Sequence, residues 1–272
     1  MIGLAGASLM KSVVRVALAV SVQAILIQPA CAQWQGAAGA SLRGVTHAEY
    51  DLAGRRLVRE AGWLPGAVVK ATYRQGDFTW FSEGEVYRGD IGYQGQTQAG
   101  AQAASKTATG LSQLRFGGTY ALNAGYSVLA TLEWQQWKRE IIGVQQAAGL
   151  QEKYRSGRLV AGIRKTLLSA SAGAMSVDGA VVLSAAERLQ VGFSGLLDPT
   201  SLELKRSQGI RFGAAIRPSF APYLELRTGY EWIRTPRSGD AAVTRAGQFM
   251  GTIAQPELKK QALTFTVSTI FG

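Results

Sequence analysis

"QALTFTVSTIFG", residues 261–272, is the last stretch of the chain. Leu263, Phe265, Val267 and Phe271 share one side of an extended segment, and Thr264, Thr266 and Ser268 share the other. Such a strand separates an apolar phase from a polar one. In a soluble sandwich the apolar side would cover a core, whereas in a membrane barrel it would face lipid. The rest of the sequence has to say which.

The opening stretch points to export. Lys11 and Arg15 precede an uncharged, mostly apolar run, residues 16–27, and Ala30-Cys31-Ala32 supplies the small residues that a signal peptidase reads. The expected leader is residues 1–32, cleaved before Gln33, with 33–272 as one domain. The run is shorter than the roughly 20 residues of a transmembrane helix. A lipoprotein reading of Cys31 lacks the usual apolar residue three positions earlier, where Gln28 stands. Cys31 is the only cysteine, so a chain starting at Gln33 has no disulfide and no thiolate metal site. No cofactor is implied. After Ile27 no stretch is long and apolar enough for a spanning helix, so a membrane location requires strands.

Alternation recurs along the whole chain. With 33 glycines and 47% hydrophobic residues, the composition suits strands and tight turns. About ten segments alternate, each near the 9–11 residues of a tilted spanning strand. They include "AVVKATYR" from Ala67, "FTWFSEGEVY" from Phe78, "SQLRFGGTYAL" from Ser112, "YSVLATLEWQQW" from Tyr126, "GIRFGAAIRPSF" from Gly209 and "YLELRTGYEWI" from Tyr223. Short links at 75–77, 123–125, 169–175 and 221–222 alternate with long polar ones at 51–66, 90–110, 143–155, 191–208 and 236–260. Short periplasmic turns, long external loops and an even strand count describe an up-and-down transmembrane barrel.

In these features the chain resembles the bacterial outer-membrane β-barrel class, and "TFTVSTIF" resembles the closing-strand signal of such proteins. The resemblance implies the outer membrane of a Gram-negative bacterium. It also implies that the aromatic Phe271 is read by the barrel-assembly machinery, although Gly272 follows it.

The two faces of the strands give the site expectations. Outward-facing positions are Phe78, Trp80, Val86; Leu114, Phe116, Tyr120, Leu122; Tyr126, Val128, Leu132, Trp134; Ile210, Phe212, Ile216; and Leu224, Leu226, Tyr230, Trp232. Aromatics near strand ends suit interfacial girdles. Inward-facing positions are Lys70, Glu83, Glu85, Arg115, Glu133, Arg158, Arg164, Asp178, Arg211, Arg217, Glu225, Arg227 and Glu231. Isolated charges would be costly in a narrow interior, so these should pair across strands. Because about eight strands leave room only for side chains, about ten predict a largely filled lumen. A narrow channel for small anionic solutes is the alternative.

Net charge is +11, and loss of Lys11 and Arg15 leaves +9. Much of the excess is expected at outer strand ends and loops: Arg55, Arg56, Arg59; Lys138, Arg139; Lys153, Arg155; Lys205, Arg206; Arg234, Arg237, Arg245; Lys259 and Lys260. Those groups would meet phosphorylated lipopolysaccharide; nucleic acid does not suit an exported chain.

Catalysis has little to work with. His47 is the only histidine, with Glu49, Asp51 and Asp90 as acidic candidates near it, and a surface His with a carboxylate can act as a base. Omptins, ten-stranded outer-membrane proteases, resemble the chain in strand number and size. Their catalytic aspartate pair and Asp-His pair have no counterpart here in order or spacing. "YRGD" at 87–90 contains an integrin-binding tripeptide that is common by chance. The reading is therefore a noncatalytic outer-membrane barrel with a structural or surface-interaction role; a surface hydrolase is the third choice.

Overall fold

The computed structural model describes residues 33–96, 102–143, 149–169 and 173–272; the expected leader, residues 1–32, lies outside them. The described chain is all β. Ten strands form the wall: β1 (Gln33–Tyr50), β2 (Arg56–Gln75), β3 (Phe78–Gln96), β4 (Gln102–Ala121), β5 (Tyr126–Ile141), β6 (Leu150–Ser169), β7 (Gly173–Ser184), β10 (Gln208–Arg217), β11 (Leu224–Thr235) and β14 (Glu257–Phe271). Each is antiparallel to its chain neighbour in the wall, and β14 pairs with β1 from Gly36↔Phe271 to Tyr50↔Glu257, which closes an up-and-down barrel. Closure leaves no free edge in the wall.

The strands outrun the length expected of them. β2, β4 and β6 each have 20 residues, about twice what a bilayer crossing needs. Most of the links expected at 51–66 and 90–110 are strand: 56–66 belongs to β2, 90–96 to β3 and 102–110 to β4. Beyond the lipid the outer face turns polar, so the apolar alternation fades while backbone pairing and the inward residues continue. Two crowns stand in the remaining long links. β8 (Arg188–Gly192) and β9 (Thr200–Glu203) extend the sheet from β6, and β12 (Ala241–Arg245) with β13 (Gln248–Ile253) makes a hairpin. Asp198 ties the crowns together, accepting from the Thr244 hydroxyl at 2.7 Å and the Gly247 amide at 3.0 Å. Those donors, Gly247 first, hold its carboxyl below the usual aspartate range.

At the opposite end the turns are tight. Gly76 (φ 58°) and Gly125 (φ 77°) take the left-handed conformation that lets β2 turn into β3 and β4 into β5.

The outer wall carries the apolar band. Leu114, Phe116 and Leu132 are 59%, 58% and 63% exposed, values foreign to a core and proper to a surface that meets lipid. All the residues assigned outward face out, with Ile216, Leu224 and Trp232 half covered by neighbours on the same face. Near the short-turn end Phe78 lies 4.7 Å from Tyr120 and Trp34 lies 4.8 Å from Tyr73, ring centre to ring centre. Trp63 and Trp134 mark the other rim. At the seam Phe271 lies over Gly36, where a Cβ would sit 2.2 Å from a ring carbon.

Candidate functional site

The lumen is organised in three levels, and the register builds the middle one. Lys70 stands opposite Glu83, Glu83 opposite Arg115, Arg115 opposite Glu133, and Glu133 opposite Arg158, across β2 to β6. Directly opposed residues are neighbours, so the signs alternate around the wall. From the facing wall, Arg211 reaches Glu133 at 2.5 Å and Glu231 at 3.0 Å. Glu231 also receives Arg43 and Arg158, each at 3.4 Å. Glu83 gives one oxygen to Arg115 and the other to Arg227, both at 2.5 Å. Glu85 joins through Arg115 at 2.8 Å, and Gln113 donates to Glu133 at 2.9 Å. Nearer the short turns, Arg164 pairs with Asp178 at 3.2 Å and Arg217 with Glu225 at 3.0 Å. The structure thus brings together twelve of the thirteen inward charges. Lys70 stays outside: its ammonium makes no ion pair or hydrogen bond among the described residues and lies 5.6 Å from the centre of the Phe81 ring.

Toward the loop end apolar side chains join the charges and pack around buried ion pairs. Leu64, Tyr87, Ile91, Leu111, Trp137 and Leu258 pack into one buried cluster inside the barrel. Arg139 is buried among them, paired with Glu60 at 2.8 Å and Glu152 at 2.5 Å, its guanidinium 5.3 Å from the centre of the Trp137 ring. Lys260 reaches Glu187 at 3.2 Å. Arg139 and Lys260 therefore do not face lipopolysaccharide as the sequence reading had them. The period-two alternation persists above the membrane and turns every second residue inward, so Lys138 points out and Arg139 in. His47 is likewise not a surface group. It is 1% exposed, 3.2 Å from Glu49 and 4.8 Å from Trp137, whereas Asp90 faces outward on β3. Among the described residues no group of three His, Cys, Asp or Glu could hold a metal ion.

Sequence reasoning passed over Arg43, Glu60 and Glu187. Arg43 shares its parity with Ser41, His47 and Glu49 and was legible by alternation. Glu187 sits in the link between β7 and β8 and reaches the interior only through the fold.

The third level is a cavity of about 410 Å³ below the charged layer. Exposure falls along the axis: the Arg217 and Arg164 side chains are 38% and 35% exposed, Arg211 17%, and Glu133 0%. The cavity is therefore a cup that opens at the short-turn end and is closed above by the charged and apolar layers. The lumen is filled in its upper part only.

Outside the wall, just beyond Trp134, lies a row of like charges. Lys138 stands opposite Lys153, and Arg155 opposite Arg188. Arg88 shares the row through Gly110. Arg88, Lys138, Arg155 and Arg188 are exposed and Lys153 is half-buried; none of the five makes an ion pair among the described residues, although Glu203 stands opposite Arg188.

No family model and no curated protein matches the sequence. Solved structures do. The outer membrane protease OmpT from Escherichia coli matches with a TM-score of 0.52 at 10% identity, over 88% of this chain and 96% of that one. The translocator domain of autotransporter NalP from Neisseria meningitidis matches with a TM-score of 0.48 at 12% identity, over 97% and 96%. The attachment invasion locus protein Ail of Yersinia pestis matches with a TM-score of 0.34 at 9% identity, over 87% and 99%. At 10% identity the likeness to OmpT carries the fold and nothing about activity. With the closed ten-strand wall and its apolar outer band, it gives this chain the fold of an outer-membrane β-barrel protein.

Proposed function

We propose that the protein is a noncatalytic, non-conducting barrel of the Gram-negative outer membrane, whose role lies in the surface it presents. The packed cluster of Leu64, Tyr87, Ile91, Leu111, Trp137 and Leu258 carries this reading, since a side-chain-filled storey denies ions a continuous water path. In this orientation the short turns are periplasmic and the crowns β8–β9 and β12–β13 stand outside the cell. A catalytic role for His47 is disfavoured by its burial and by the outward direction of Asp90. The unpaired row of Arg88, Lys138, Lys153, Arg155 and Arg188 stands at the height of lipid headgroups, where lipopolysaccharide phosphates would neutralise it.

The test is electrical. Purified protein reconstituted in a planar bilayer should pass no steady current above the bare membrane. Reproducible, anion-selective conductance steps would replace this reading with the channel.

A further inference from the structure

The cup beneath the charged layer has an excess of one positive charge. Seven basic and six acidic side chains line it, and the acidic ones are engaged by arginines. Lys70 is the group left over. It stands opposite Glu83, but both Glu83 oxygens are taken, one by Arg115 and one by Arg227. On its other side the register places Ala37, which offers no acceptor side chain. The arginines cannot release their carboxylates to it without stranding a guanidinium.

An ammonium held in a half-closed cavity, where the nearby carboxylates Glu83 and Glu225 are already held by arginines, attracts a counter-charge from solution. Around it the cup supplies the remaining features of an oxyanion site. Thr72, Thr79, Thr166 and Ser176 bring hydroxyls to the lower wall. Arg164 and Arg217, the two most exposed arginines of its lining, keep part of their guanidinium surface open to the cavity. Ala174 and Ala215 leave space beside them, and the 410 Å³ volume is in the range of small-ligand pockets.

From this geometry we infer that the cup is a periplasm-facing binding site for a small monoanionic oxyanion, held by the Lys70 ammonium with the hydroxyls of Thr72, Thr166 and Ser176 around it. The ligand class is a carboxylate, sulfonate or phosphate group that neutralises the surplus charge. The site is entered from the short-turn end and is blind at its top, so it retains a solute and does not conduct one. This goes beyond the sealed-barrel reading: conductance tests the apolar layer, whereas the site stands or falls on Lys70.

Charged thiol reagents test it. In the full chain with Cys31→Ser, a single cysteine is placed at Ser176, and separately at Thr166 in case one position perturbs folding. Leu52→Cys, on the far loop, is the control. Reaction rates with an anionic sulfonatoethyl and a cationic trimethylammonioethyl methanethiosulfonate are each divided by the rate with a free thiol. At Ser176→Cys the anionic reagent should be favoured, and adding Lys70→Met should lower the anion-to-cation ratio about fivefold, the scale of one unit charge acting across a partly solvated interior. At Leu52→Cys the Lys70 change should leave the ratio as it was. Millimolar sodium phosphate or sodium acetate should slow the anionic reagent at Ser176→Cys, and whichever protects better identifies the preferred oxyanion. A ratio unchanged by Lys70→Met at both cup positions, or protection by neither salt, would overturn the site.

Discussion

Glu133 shows how much one side chain can hold in this lumen. Its carboxylate is fully buried and accepts from Arg211 and Gln113, with Arg115 3.3 Å away. Replacing it by the isosteric Gln removes the charge that two arginines face and keeps the volume. Glu133→Gln should therefore destabilise the barrel by about 3 kcal/mol, the lower end of the cost of breaking a buried pair, because both arginines retain other partners. The urea midpoint of the protein folded in detergent micelles measures this, and an unshifted midpoint contradicts the account. At the seam the controlling residue is one without a side chain. Since a Cβ on Gly36 would meet the Phe271 ring, Gly36→Val should reduce the folded fraction, and Phe271→Ala in the same chain should restore part of it. The heat-modifiable gel shift of folded barrels reads both variants. Failure of the second change to rescue the first would show that closure does not depend on this contact.

Among the elements, β5 and β6 carry the clearest charge conflict. Directly opposed like charges destabilise a strand pair, and Lys138 opposite Lys153 is such a pair, followed by Arg155 opposite Arg188 on β6 and β8. If lipid phosphate resolves the conflict, Lys138→Gln with Lys153→Gln should reduce the lipopolysaccharide retained through purification severalfold. The same change should leave the barrel as stable or more stable in phosphate-free detergent. Undiminished lipopolysaccharide would assign the row to solvent. Alternation along "YSVLATLEWQQW" was legible in the sequence because one face meets lipid and the other the lumen. Above Trp134 both faces are polar or mixed, the contrast disappears, and the strand becomes indistinguishable from a loop even though pairing continues to Ile141.

For the whole molecule the decisive feature is the side-chain-filled layer between cup and crown. Cutting Leu64, Ile91 and Leu258 to Ala together should open a cavity through it, at about 2–5 kcal/mol for each large-to-small change. The variant should remain a barrel in which single-channel recordings detect current absent from the wild type; silence from a folded variant would place the seal elsewhere. The sequence alone determined a good deal of this protein. A period of two sorts Phe116 outward and Arg115 inward whatever their partners are, so the lipid-facing band, the inward charges and the barrel class follow from local parity. Only the tertiary structure decided which inward groups meet, because pairing depends on strand register and on what crosses the lumen. Arg211 and Glu133 are 78 residues apart and bond only once the wall is closed. For the same reason no reading of "AVVKATYR" could single out Lys70. Its isolation arises because Arg227, from the facing wall, reaches Glu83 first.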